Sequence, residues 1–227
     1  MNTEALRAPP TAYPRHDTAK EVAAFEVTGH GIGGPAPKRI IVGYGFWIFL
    51  LSDVILFSAV FAAYAVLFKN TAGGPSARQL FDLRSVAVET GCLLASTFAC
   101  AMAGVAVSER SMKWTQLALL VTGLLGVSFV FLEAHEFTGF IARGAGPTRS
   151  AFLSSFFTLV GCHGAHVTAG LIWLGTMMAQ FRAKGFREDI RLRFLCFTLF
   201  WHALDIIWVA IFSLVYLVGT LPPQMLP

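Results

Sequence analysis

Long apolar runs separated by short polar stretches dominate the chain after about residue 42. A helix needs about 20 apolar residues to cross a bilayer, and the runs of that length are 43–68, 85–107, 114–142, 151–181 and 193–220. The stretches between them carry Gly and Pro or clustered charge, as in 70–75 and 143–147. Because connections this short join antiparallel neighbours, the pattern predicts an all-α integral membrane bundle of five transmembrane helices.

The predicted transmembrane domain covers 43–220 and leaves two polar ends. We predict a flexible cytoplasmic tail over 1–42, rich in Pro, Gly and Ala, and a short external tail over 221–227. Composition favours lipid as the surrounding solvent, since 56% of the 227 residues are hydrophobic and 13% are charged. Soluble domains contain about 25% charged residues.

The distribution of basic residues predicts the orientation of the bundle. Lys and Arg are concentrated before the first run, between the second and third runs, and between the fourth and fifth. The remaining loops contain fewer, and 221–227 contain none. By the positive-inside rule the N-terminus is cytoplasmic and the C-terminus is outside. The net charge of +4 is therefore a topological signal, and we expect no nucleic-acid partner.

Ionisable residues inside the apolar runs are the candidate functional residues, because each costs about 2.5–3.5 kcal/mol on insertion scales. We predict that Asp53 is a buried acid with a possible link to proton movement. We expect six others to bind lipid or to form polar contacts between helices: Glu89, Glu133, His163, His166, His202 and Asp205. Glu89 and the cluster 133–136 are predicted near the outer surface, where water reaches them.

Three other interpretations of these residues are open. His163 and His166 share a helical face, as do His202 and Asp205, which is a spacing that metal sites use. Depth argues against a shared metal, since His166 is roughly 22 Å from the inner end of its helix and His202 roughly 14 Å. Haem ligation needs histidines on facing helices at matched depth, and a proton relay would use Asp53, His202 and Asp205. We predict no catalytic residue, no metal and no cofactor in this chain.

Small residues recur at every fourth position in two of the runs. They are Gly91, Ala95, Ala99 and Ala103 in the second run and Gly161, Ala165 and Ala169 in the fourth. Such seams allow close approach of helix backbones in lipid. We expect them to face neighbouring helices, either in this chain or in a partner.

Four stretches of the sequence resemble subunit III of the haem-copper terminal oxidases. The first is 45–57, in which an acid follows Ser52, and the second is Glu89 with 93–97. The third, 160–167, resembles the family's His-Gly-x-His-Val signature. The fourth, 200–208, resembles its Trp-His-x-x-Asp-x-x-Trp signature. Together they span about 43–219, which is nearly the whole of the predicted bundle.

The resemblance is strongest to the ubiquinol oxidase branch of the cytochrome o type. It rests on five spans instead of seven, on Asp53 where cytochrome c oxidases carry Glu, and on the loop 70–75 followed by Phe81. It implies a multi-pass protein of the bacterial inner membrane that associates with subunits I, II and IV and with phospholipids. Subunit I is expected to carry haem b, haem o and copper, and ubiquinol is the expected substrate of the complex. Subunit III itself is expected to stabilise subunit I without a redox centre.

Two alternative functions follow from the same sequence. Subunit III of a cytochrome c oxidase, or of a nitric-oxide-reductase-associated relative, would have the same fold and another electron donor. An independent proton-coupled transporter is the alternative from a different class, although the runs show no internal repeat.

Overall fold

The computed structural model describes residues 38–220, so 1–37 and 221–227 of the predicted tails lie outside it. Its helices are α1 (Lys38–Leu67), α2 (Ala77–Leu80), α3 (Leu83–Ser108), α4 (Met112–Ala142), α5 (Ala151–Lys184), α6 (Glu188–Ile211) and α7 (Val218–Thr220). A π-helical segment, Phe212–Leu217, joins α6 to α7. Contacts divide the chain into 1–41 and 42–227, and within the first unit only the first turn of α1 is described.

Within residues 38–220, five helices are long and apolar enough to cross a membrane, as the sequence predicts. They are α1, α3, α4, α5 and the continuous stretch Glu188–Thr220. The observed bounds differ by a few residues from the predicted ones, and α1 begins at Lys38 instead of residue 43. The last span begins at Glu188 because two acidic residues favour its N-terminal turn.

The helix ends follow local chain chemistry. Asp82 caps α3 by accepting a hydrogen bond from the Arg84 amide, and Ser150 caps α5 by accepting one from the Leu153 amide. Gly185 ends α5 with φ of 66°, a left-handed conformation that glycine adopts without steric strain. The reversals between helices are therefore encoded by the residues at the turns.

The core lies among α3, α4, α5 and α6. Neighbours along the chain pack together in three pairs, and α3 also packs against α6, which closes the four helices into a ring. Glycines permit the closest approach inside it: a Cβ at Gly126 or Gly170 would lie 3.0 Å from the Trp201 ring. The core therefore accommodates a tryptophan because two neighbouring positions lack side chains.

Helix α1 is attached to the other helices by one narrow stripe. Its buried residues are Leu50, Phe57 and Tyr64, each two helical turns from the next. Tyr64 packs against Phe152 of α5, and most of the remaining apolar side chains of α1 are exposed, with Val66 at 77%. Much of α1 is thus left for contact with lipid or another chain.

The small-residue seams are only partly internal to the chain. On α3, Ala99 and Ala103 are buried, whereas Gly91 and Ala95 are exposed. On α5, Gly161 meets Phe137, whereas Ala165 and Ala169 are exposed. Half-covered seams of this kind fit the expectation of a neighbour within the chain at some positions and outside it at others.

Candidate functional site

His163 occupies the centre of the core. Its ring is 0% exposed and lies between three aromatic side chains, with centroid distances of 5.2 Å to Trp208, 5.8 Å to Phe129 and 6.3 Å to Phe57. Neither ring nitrogen has a hydrogen-bond partner among residues 38–220. His163 therefore links α1, α4 and α6 through packing, and it is an interhelical residue instead of a lipid-facing one.

His166 lies one helical turn further along α5 but points toward α1. Its Nδ1 donates a hydrogen bond to the Cys162 carbonyl oxygen at 2.7 Å, and its ring centroid is 5.2 Å from that of Phe57. With Nδ1 bonded to its own helix, only Nε2 remains for another partner. His166 is half-buried, so this nitrogen is available at the edge of the α1–α5 contact.

Asp53 lies on the same seam between α1 and α5, one helical turn before Phe57, which packs against His166. The prediction of a buried acid is wrong for the chain alone, because Asp53 is only half-buried. The physical reason is the narrow stripe by which α1 packs, which leaves its flanks uncovered. Asp53, Cys162 and His166 thus form a polar edge along one helix–helix seam.

A second group of polar residues lies between α3, α4 and the end of the last span. Glu89 is 0% exposed and Glu133 is 4% exposed, while the half-buried Glu136 accepts a hydrogen bond of 3.4 Å from the Tyr216 hydroxyl. The prediction that water reaches Glu89 and Glu133 at the surface is wrong, because the packed helices enclose both side chains. Gly164 leaves space for one of them, since a Cβ there would be 2.7 Å from Glu133 Oε1.

His202 and Asp205 share one face of α6, as their spacing predicts. His202 is half-buried and its Nδ1 donates to the Thr198 carbonyl oxygen at 2.7 Å. Asp205 is 8% exposed, and its Oδ1 has no hydrogen-bond partner among the residues that the structure covers. The hydrogen bonds within 38–220 do not join Asp205 to Asp53. A proton relay through both acids stays an open alternative.

Two tryptophans of α6 fasten it to α3. Trp201 Nε1 donates to Ser96 Oγ at 3.2 Å, and Trp208 Nε1 donates to Thr90 Oγ1 at 3.0 Å. Thr90 Oγ1 in turn donates to the Val86 carbonyl oxygen. The signature 200–208 therefore supplies the hydrogen bonds that close the helical ring.

The sequence did not reveal the part played by Tyr216. It lies in the π-helical segment, is 0% exposed, and reaches back to Glu136 across the core. Tyr216 is two helical turns beyond Trp208, and this spacing could have predicted that both side chains lie on the same face of the helix. The wider π turn has no comparable signature in the sequence.

The described part of the chain shows no group of three or more His, Cys, Asp or Glu side chains arranged to hold a metal ion. The pair His163 and His166 lies on α5, and the pair His202 and Asp205 lies on α6. His163 faces the core, whereas His202 is half-buried and bonded to its own helix. The arrangement can pack helices, hold polar atoms between them and present a polar edge beside α1.

Comparison with known proteins adds a family. Residues 26–220 match the family described as cytochrome c oxidase subunit III. The chain is 49% identical over 179 residues to the cytochrome bo(3) ubiquinol oxidase subunit 3 of Pseudomonas aeruginosa, covering 78% of this chain and 85% of that protein.

Two further relatives are named as subunits of oxidases with different electron donors. The quinol oxidase subunit 3 of Bacillus subtilis is 39% identical over 175 residues, covering 77% of this chain and 86% of that protein. The cytochrome c oxidase subunit 3 of Bacillus sp. strain PS3 is 41% identical over 175 residues, covering 77% and 84%. These similarities extend over most of the helical bundle.

Proposed function

Since the chain belongs to the cytochrome c oxidase subunit III family, we propose that it is subunit III of a haem-copper ubiquinol oxidase in the aerobic respiratory chain. The observation that carries this proposal is the 49% identity to a bo(3) ubiquinol oxidase subunit 3 over most of both chains. In this role it associates with subunits I, II and IV in the bacterial inner membrane. It is an accessory subunit that does no chemistry by itself.

The surroundings of His163 support a structural role for this chain. Its ring is enclosed by aromatic side chains of three other helices. These contacts fix helices relative to one another. On this proposal haem b, haem o and copper belong to subunit I, and this chain stabilises that subunit from its flank.

The α1–α5 seam supports a second part of the proposal, which is phospholipid binding. Apolar side chains of α1 are exposed beside the half-buried Asp53 and His166. Acyl chains fit the apolar surface, and the half-buried Asp53 and His166 add polar atoms at its edge, midway along α1 and α5. Lipid held there would fill the flank that α1 leaves open and would extend the contact toward subunit I.

Affinity purification tests the proposed function directly. A tagged version of this chain, extracted in mild detergent, is expected to bring down a complex that shows haem absorption and oxidises ubiquinol with oxygen. The same tag on an unrelated multi-pass protein of that membrane is the control. Recovery of the chain alone, stable and without haem absorption, would contradict the proposal and favour a transporter.

The identity to a cytochrome c oxidase subunit 3 keeps one alternative in view. The donor is decided by supplying the purified complex with ubiquinol or with reduced cytochrome c and following oxygen uptake. We expect uptake with ubiquinol. Uptake with cytochrome c alone would move the complex to the other branch and leave the accessory role of this chain unchanged.

A further inference from the structure

Three carboxyl groups lie close together inside the chain, and the proposed function makes no use of them. Glu89 comes from α3, and Glu133 and Glu136 come from α4. Glu89 and Glu133 are almost completely buried, and the two helices that carry them pack against each other. Burying polar groups is costly unless new hydrogen bonds replace the ones they made to water.

The protein atoms that the structure describes supply little of that compensation. Both carboxyl oxygens of Glu89 and Oε2 of Glu133 have no hydrogen-bond partner within 38–220. The ion pair found in that part of the chain, Arg187 with Asp189, is in a loop and at the start of α6. Leaving a buried polar group unsatisfied lowers the stability of the fold, and nearly all such groups in proteins are bonded to protein or to ordered water.

One further observation points to the same place. The last span contains a π-helical segment, and such segments are frequent at functional sites. It carries the buried Tyr216, whose hydroxyl reaches Glu136. Unsatisfied carboxyl oxygens on α3 and α4 and an irregular turn in the last span therefore adjoin one region of the core.

We propose that Glu89, Glu133 and the Glu136–Tyr216 pair enclose an internal water-binding site. Ordered water there bridges the carboxyl groups of α3 to those of α4. Water suits the site because each molecule can both donate and accept, whereas carboxylates alone can only accept. A metal ion suits it less well, because these side chains are not arranged as a ligand set.

The first test is a high-resolution structure of the intact assembly that contains this chain. We expect density for water within hydrogen-bond distance of Glu89 and of Glu133 or Glu136. A dry contact, direct pairing of the carboxyl groups, or a side chain from another subunit in this place would overturn the proposal. So would a monatomic cation, recognised by shorter ligand distances and by loss of its density when sodium and divalent salts are removed.

The second test separates a hydrated site from a dry one by two substitutions at one position. Glu89→Gln keeps the shape and can still bond to water, so the melting temperature of the assembly is expected to stay near that of the unaltered protein. Glu89→Leu removes the partner that α3 offers to the water and is expected to lower the melting temperature. In a dry site the leucine would instead raise the melting temperature, because it removes an unsatisfied buried group, and that result would overturn the proposal.

Thr122→Val is the matched control for loss of a buried polar group. Thr122 is 0% exposed on α4, but its hydroxyl donates to the Ala118 carbonyl oxygen of its own helix. We expect a smaller decrease in melting temperature than for Glu89→Leu. An equal decrease would mean that Glu89 contributes no more than any buried polar side chain, and would also contradict the water site.

Discussion

His163 and His166 show how one helical turn separates two environments. His163 contacts Phe129 and Trp208 in the core, whereas His166 is bonded to its own helix at the edge of the α1–α5 seam. The first imidazole contributes through volume and shape, because its nitrogens have no partner among the described atoms. The second has a nitrogen free to meet a ligand in the seam. Substitutions at the two positions should therefore have different effects.

We predict that His163→Ala destabilises the protein by about 2 kcal/mol or more, since it leaves a cavity among aromatic rings. Thermal unfolding of the purified complex measures this change. His163→Phe restores most of the volume and is expected to recover most of the loss, and His166→Ala is expected to be milder than His163→Ala. An equal loss of stability in His163→Ala and His163→Phe would show that the polar character of the imidazole matters more than its packing.

Residue spacing predicted some of the site and missed the rest. The three-residue step placed His163 with His166, and His202 with Asp205, on shared helical faces. It could not predict the burial of Glu89 and Glu133, because burial depends on which helices surround a position. It also overstated the burial of Asp53, since periodicity gives no measure of how widely α1 contacts its neighbours.

The close approach of Gly164 to Glu133 leads to a second prediction at this scale. Gly164→Ala places a Cβ 2.7 Å from Glu133 Oε1 and is expected to lower the yield and the melting temperature of the complex. Gly175→Ala on the same helix is the matched control, because nothing lies within 4 Å of a Cβ there. The loss should shrink when Glu133→Ala is combined with Gly164→Ala. Full loss in the double variant would mean that the clash with Glu133 is not its cause.

At the scale of elements, the pairing of α3 with α6 depends on tryptophan donors and hydroxyl acceptors. Trp201 bonds to Ser96 and Trp208 bonds to Thr90. Hydrogen bonds between helices in membranes contribute about 0.6 kcal/mol on average. The small energy of each hydrogen bond adds to the packing energy of a large ring. Together they let each tryptophan fix the register of the two helices.

A double-mutant cycle on Trp208→Phe and Thr90→Val measures one of these bonds. Each single substitution is expected to destabilise the complex, and the double variant is expected to lose less than their sum, with a coupling of about 0.5–2 kcal/mol. The valine retains the shape of Thr90, whose hydroxyl otherwise donates to its own helix. Strict additivity would mean that the 3.0 Å contact contributes no coupling energy.

The elements were largely predictable because a bilayer sets the length of an apolar helix. All five spans were found from the sequence, with differences of a few residues at their ends. The π-helical turn at Phe212–Leu217 was not, since no residue type marks it. The π-helical turn contains the buried Tyr216, and the burial of a side chain depends on tertiary packing.

At the scale of the whole molecule, α3 to α6 form a ring and α1 is attached by a single stripe of side chains. The large exposed apolar surface of α1 fits a subunit that works beside another membrane protein and its lipids. The basic loops predict that the N-terminus is cytoplasmic, and a subunit of this kind must insert with one orientation to meet its partners.

Reporter fusions test that orientation. We predict that alkaline phosphatase fused after residue 227 is active, because the distribution of basic residues predicts an external C-terminus. The same enzyme fused in the loop 109–111, which contains Arg110, is expected to be inactive. The opposite pattern would reverse the topology and would place the seam residues at different depths relative to the two surfaces.

We propose that this chain supports an oxidase without holding a redox centre. The most direct test is the haem and copper content of the complex, measured per subunit I, with this chain present and with its gene deleted. We expect the same haem b, haem o and copper ratios in both preparations, together with lower stability and less retained phospholipid in the deleted one. Loss of one haem or one copper ion per complex, with subunit I otherwise intact, would contradict it.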